Sequence, residues 1–252
     1  MNDQAKPPII PIAIIGGLII LGILLGAWWM SRKPGTTVAT TKAVVSTEAP
    51  ITTTPPPPLP PLDQMDPMMR NLLGALSKHP ELAKWLATDS LVRQLAMAID
   101  AASQGKSPSR NFKVVAPASS FAIARRNNRR VIDPASYKRY NALVGAVTSM
   151  DASGVAKVYQ TIKPRLNEAY RNNGHPDGDV DRALQAALQT LLETPILKDP
   201  IAVTEGKGAR WEFDDPHVEA LTASQKQLLR MGPEHVEAML VWLRALKAGL
   251  GS

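Results

Sequence analysis

Between Pro7 and Met30 the chain runs 24 positions without a charged residue. A helix rising about 1.5 Å per residue crosses a hydrocarbon core of about 30 Å with about 20 residues, so this run can span a bilayer with some tilt. Lys6 precedes it, Arg32 and Lys33 follow it, and Trp28 and Trp29 stand where an interfacial aromatic belt belongs. The pattern predicts a short tail over 1–7 and a transmembrane helix over 8–30, entered at Ile9. A cleaved signal peptide is the competing reading. The apolar run is long for that, and Gly26-Ala27-Trp28-Trp29 is a poor cleavage site. An uncleaved signal anchor is therefore expected, with the lipid bilayer as first partner. Gly22 and Gly26 are four residues apart, as are Ala13 and Gly17. That spacing lets two helices approach closely and form a homodimer, although glycine is also simply common in membrane helices.

Residues 31–62 form a Thr/Pro-rich linker containing Thr52-Thr-Thr-Pro55-Pro-Pro-Pro58-Leu-Pro60-Pro61. Proline lacks a backbone donor and fixes φ, so the stretch is expected to be disordered to polyproline II. At about 3.1 Å per residue it reaches roughly 100 Å when fully extended. A spacer suits a domain standing away from a membrane; a ligand for proline-binding modules is the alternative. Orientation is contested. Arg32, Lys33 and Lys42 against Lys6 put the large domain in the cytoplasm by the positive-inside rule, whereas the spacer favours a periplasm.

The remainder, 63–252, is expected to be one mostly helical domain with one or two small β-hairpins. Aromatic residues make up only 5% of the chain, against 44% hydrophobic, which favours helices packed by Leu, Ala and Val. Asp66-Pro67, Asp133-Pro134 and Gly232-Pro233 mark helix starts, as do Thr88-Asp89, Asp151, Asp179 and the capping box Thr222-Ala-Ser-Gln225. The helix from Asp133 is expected to run through Met150, and Pro164 to kink or restart the one from Asp151. Phe112-Lys-Val-Val115 and Phe121-Ala-Ile-Ala124 read as strands. Arg125-Arg126-Asn127-Asn128-Arg129-Arg130 reads as a hairpin tip, because Asn tolerates positive φ. A second hairpin is expected from Ile201–Thr204 and Arg210–Phe213.

Several stretches resemble an uncharacterised family of bacterial envelope proteins known only as a domain of unknown function. The most specific is Lys226-Gln-Leu-Leu-Arg-Met231-Gly-Pro-Glu234. Asp133-Pro-Ala-Ser-Tyr137-Lys-Arg139-Tyr140, Glu168-Ala-Tyr170 with Pro176-Asp-Gly178, and Asp214-Asp-Pro216 support it. The chain departs from the family pattern at Ala101 and His235, where Asn is expected. The resemblance implies a membrane helix, a proline-rich link and one domain in an envelope protein; with the spacer, the expectation is a single-pass protein of the bacterial inner membrane whose large domain is periplasmic. It implies no activity.

No complete catalytic or metal-binding pattern emerges. There are no cysteines, which removes thiolate chemistry and disulfides. Gly105-Lys106-Ser107 lacks the upstream glycine of a phosphate loop; Ser103-Gln-Gly-Lys106 matches S-x-x-K and Ser109-Arg-Asn111 echoes its second motif, but the two are too close to build that site and no Lys-Thr-Gly follows. Asp177, Asp179 and Asp181 begin like a calcium loop, but Arg182 and Leu188 stand where Gly and Glu are needed. The four histidines lack metal-ligand spacing, so no metal and no cofactor is expected.

The charge is uneven. The chain carries +7, and Lys106 to Arg139 alone hold nine basic residues against Asp133. Arg125, Arg126, Arg129 and Arg130 are the leading binding candidates, suited to phosphate or carboxylate on an envelope protein or another anionic partner. Nucleic acid is disfavoured because no aromatic platform is interleaved. Lys226 and Arg230, one helical turn apart, face either a partner or nearby helix C-termini. Glu168 is the weak catalytic candidate. The expected role is a non-enzymatic interaction module. The alternatives are a peptidoglycan-modifying enzyme using Glu168 in acid–base work, and a cytoplasm-facing binder of anionic polymers.

Overall fold

The computed structural model describes residues 58–251 except 207 and 209. The expected membrane helix, with Ile9, Gly22, Gly26, Trp28 and Trp29, and residues 31–57 of the linker lie outside the described residues. Among the described residues no helix is long and apolar enough to cross a membrane.

Helices dominate, as the low aromatic content and 3.6-residue periodicity predict. They are α1 (Asp66–Leu76), α2 (Pro80–Leu86), α3 (Leu91–Ser103), α4 (Pro134–Tyr137), α5 (Asn141–Thr148), α6 (Ala152–Asn172), α7 (Val180–Leu192), α8 (Pro216–Glu219), α9 (Ala223–Leu229) and α10 (Pro233–Gly249). Two antiparallel hairpins interrupt them: β1 (Ile123–Arg126) with β2 (Arg129–Ile132), and β3 (Val203–Glu205) with β4 (Trp211–Phe213). Asp133, Asp151 and Asp179 cap α4, α6 and α7 with their side chains, and Thr222 and Gln225 close the capping box of α9.

Three local readings need correction. Pro108–Val115 winds as two short 3-10 turns broken at Phe112 (φ −122°, ψ 38°), where a strand was expected at Phe112–Val115. Among the described residues no strand lies beside it to pair with, and Phe112 sits edge-on to Trp85, with ring centroids 5.8 Å apart, while Val115 is buried. Asp89 does not cap α3. Ser90 precedes that helix with φ 57° and makes no side-chain cap; the carboxylate of Asp66 accepts from the Ser90 and Leu91 amides instead. The helix expected from Asp133 to Met150 is divided, with a 3-10 turn at Lys138–Tyr140 between α4 and α5 that buries Tyr140. α6 runs through Pro164 to Asn172, the expected end, so of the two expectations for Pro164 a restart does not occur.

The largest core cluster gathers α1, α2, α3, α6 and α7 around Met65, Met69, Leu91, Ile162, Leu166 and Val180. α10 lies against α5, α6 and α7, with Leu240 and Leu243 buried. A smaller cluster of Ile132, Ile201, Val203, Phe213, Val218 and Leu229 sits beneath the hairpins. The hairpins join through Ile132 N–H donating to the Ile201 carbonyl at 3.0 Å and a bridge between Val131 and Ala202.

The incoming chain is already docked at Leu59. The Arg165 guanidinium donates to the carbonyls of Leu59 (3.0 Å) and Pro60 (2.7 Å), and Leu62 is buried.

Candidate functional site

The first hairpin turns through Asn127 and Asn128, at φ 49° and 60°, the two consecutive left-handed residues of a type I′ turn. Its register sets Arg125 opposite Arg130 and Arg126 opposite Arg129. Like charges directly opposite each other on a sheet repel, so this arrangement needs compensation. The second hairpin and the turn after it supply half of it. Arg129 pairs with Asp214 at 2.5 Å and Arg130 with Glu205 at 2.6 Å. The Arg130 guanidinium also lies 5.4 Å from the centroid of the Trp211 ring. The Arg125 and Arg126 side chains are exposed and make no ion pair or hydrogen bond among the described residues. The four arginines thus divide into a braced pair on β2 and an open pair on β1.

Lys226 and Arg230 support that assembly from below. Lys226 Nζ donates to the Glu219 carbonyl at 2.9 Å, at the C-terminus of α8, and to the Glu219 carboxylate at 2.5 Å. Arg230 donates to the Trp211 carbonyl at 3.2 Å, and its guanidinium lies 5.0 Å from the Phe213 ring centroid. Burial pulls the Arg230 pKa down, against the field of Glu219. Burial pushes the Glu219 carboxyl up, but bonds from Lys226 and the Phe213 amide outweigh it and hold it below its ordinary value.

Glu168 accepts from Arg165 at 2.7 Å, one i,i+3 step away on α6, and so belongs to the clamp on Leu59 and Pro60. At the two departures from the family pattern, His235 Nδ1 lies 2.7 Å from the Met231 carbonyl, and Ala101 follows an Asp100 engaged by His175, Asn173 and Gln104.

Two features left no sequence signal. Tyr159 and Lys163 both bond the Asp181 carboxylate, joining α6 to α7. Burial, then the bond to Asp181, pushes the Tyr159 pKa up. The second feature is a cavity of about 350 Å³ between α1, α2, α3, α5, α6, α7 and α10. Leu82, Trp85, Ile99, Leu188, Trp242 and Leu243 are among its walls.

A family model described as a protein of unknown function (DUF3014) matches residues 91–247, more than half of the chain. The chain belongs to this family. The DUF3014 match takes in both hairpins, α9, all but the last two residues of α10 and the Lys226–Glu234 stretch; α1 and α2 precede it. No curated protein and no solved structure matches the chain.

Proposed function

We propose that this chain is a membrane-anchored, non-enzymatic interaction module of the bacterial envelope. In this reading residues 8–30 hold it in the inner membrane as a single pass, the proline-rich linker lets the domain stand off, and the domain works in the periplasm on an acidic protein partner. The observation that carries the binding role is the open arginine pair. Arg125 and Arg126 are left uncompensated on a strand whose partner strand is braced by Asp214 and Glu205. Retaining repulsion at an exposed tip has a use when another molecule supplies the acids, since guanidinium groups bind carboxylates in bidentate fashion. The bond from Arg165 to Glu168 supports a structural role for that acid over a catalytic one.

A photo-crosslinking residue placed at Asn128 in cells tests this. The reading expects a discrete adduct with an envelope protein, lost when Arg125 and Arg126 are both replaced by Ser and kept when Lys138 is replaced by Ser. An adduct indifferent to the two arginines, or none at all, contradicts it.

A further inference from the structure

Protein interiors are packed nearly as densely as organic crystals, with few voids larger than a water molecule. A space of about 350 Å³ between the helices, partly open to the surface, is therefore a binding cavity by size. It exceeds twice the roughly 150 Å³ at which an apolar cavity already takes up benzene, and it falls within the range of about 300–1,000 Å³ of ligand pockets.

The lining identifies the occupant by chemistry. Four lining side chains carry polar atoms: Glu81, Trp85, Tyr159 and Trp242. Each has a hydrogen bond within the protein. Glu81 is held by Lys84 at 2.5 Å, Trp85 Nε1 donates to Gln94 at 3.0 Å, Tyr159 bonds Asp181, and Trp242 Nε1 donates to the Met150 carbonyl at 2.8 Å. A sugar, nucleotide or peptide inside would leave its own polar groups without partners, at about 1–3 kcal/mol for each. The remaining walls are aliphatic, aromatic or methionine side chains. The space accepts hydrocarbon.

We infer that the cavity binds one acyl chain of a membrane phospholipid, with the headgroup left outside. The choice of source rests on the membrane-anchorage reading, which keeps the domain within a linker's length of the bilayer. The bound chain covers the apolar side chains that line the cavity.

The experiment uses the full chain reconstituted in phosphatidylcholine vesicles whose acyl chains carry a diazirine, with adducts mapped residue by residue after illumination. Adducts are expected at lining residues such as Leu188 and Leu243, while Val241, exposed on the same helix as Leu243, stays unmodified. Ala187→Phe and, on another wall, Ala146→Leu fill the space, and each is expected to lower lining adducts by about tenfold. Circular dichroism shows whether each variant folds; where one does not, the unmodified chain and the other variant carry the test. Adducts on residues 8–30 report anchorage separately, so a missing anchor and an unoccupied cavity give different maps. Adducts confined to 8–30, adducts on outward-facing residues such as Val241, or lining adducts unchanged in a folded filling variant overturn the proposal. Lining adducts from diazirine palmitic acid but not from the phospholipid overturn the assignment of source.

Discussion

Asp66 caps a helix that is not its own: its Oδ1 accepts from the Leu91 amide at 2.9 Å, while its Oδ2 accepts from Ser90 at 2.7 Å. A carboxylate at a helix N-terminus satisfies orphan donors and complements the dipole. Because the acid lies in α1 and the donors at the start of α3, the cap also fixes the angle between them. Asp66→Ala should destabilise the domain by about 1–2 kcal/mol. Asp89→Ala, at a carboxylate 97% exposed, should stay within about 0.5 kcal/mol. Denaturant midpoints of the two variants decide whether the cap comes from Asp66 or from its neighbour in the expected position.

Gly232 combines two constraints at the turn into α10. Its φ is 93°, and a Cβ there would meet Tyr137 Cγ at 2.5 Å. Gly174 has φ 97° and nothing within 4 Å. Both lie where L-residues are strained, but only Gly232 also faces a clash. Gly232→Ala should cost well over about 1 kcal/mol, and more than Gly174→Ala. Equal losses in thermal unfolding would show that Tyr137 swings away freely.

Glu219 ties acid sensitivity to the hairpin base. Its folded pKa lies below its ordinary value of 4.5, so the folded state holds a proton there less readily than the unfolded chain. The stability it contributes is present above pH 4.5 and is lost as pH falls from 4.5 through the lower folded value. Glu219→Gln should flatten that part of the stability curve. Tyr159 acts at the other end. Its folded pKa is raised, so its contribution is present below its ordinary pKa of 10 and is lost as pH rises beyond that. Tyr159→Phe should remove that alkaline loss in denaturation curves recorded above pH 9.

The arginine tip makes a prediction opposite in sign to ordinary surface ion pairs. Arg125→Ser and Arg126→Ser remove repulsion and break no pair among the described residues, so stability should hold or rise by a few tenths of a kcal/mol. Arg129→Ser and Arg130→Ser break ion pairs and should lower it by about 0.2–1 kcal/mol. Loss of stability from the first two would mean that they brace the fold.

What the sequence disclosed was local and what it hid was not. The Asn127-Asn128 turn, the Thr222 capping box and the Asp133, Asp151 and Asp179 caps were legible because their geometry depends on residues within a few positions. Phe112–Val115 misled because two valines and a phenylalanine favour a strand only where another strand lies alongside. Asp89 misled because a cap from Asp66 crosses 25 residues of chain. The four arginines read as one cluster, since the acids that divide them, Glu205 and Asp214, lie 75 and 85 residues away. The cavity had no sequence signature, because a leucine beside a void and a leucine in a packed core follow the same periodicity.

The proposed placement holds the domain at the membrane with its arginine tip facing the periplasm. The chain contains no cysteine, so Asn128→Cys introduces a single thiol beside the open arginine pair. In cells with a permeabilised outer membrane and an intact inner one, a membrane-impermeant maleimide should label that thiol, and the labelled chain should sediment with membranes. Labelling only after the inner membrane is broken, or a labelled chain recovered in the soluble fraction, would contradict that placement.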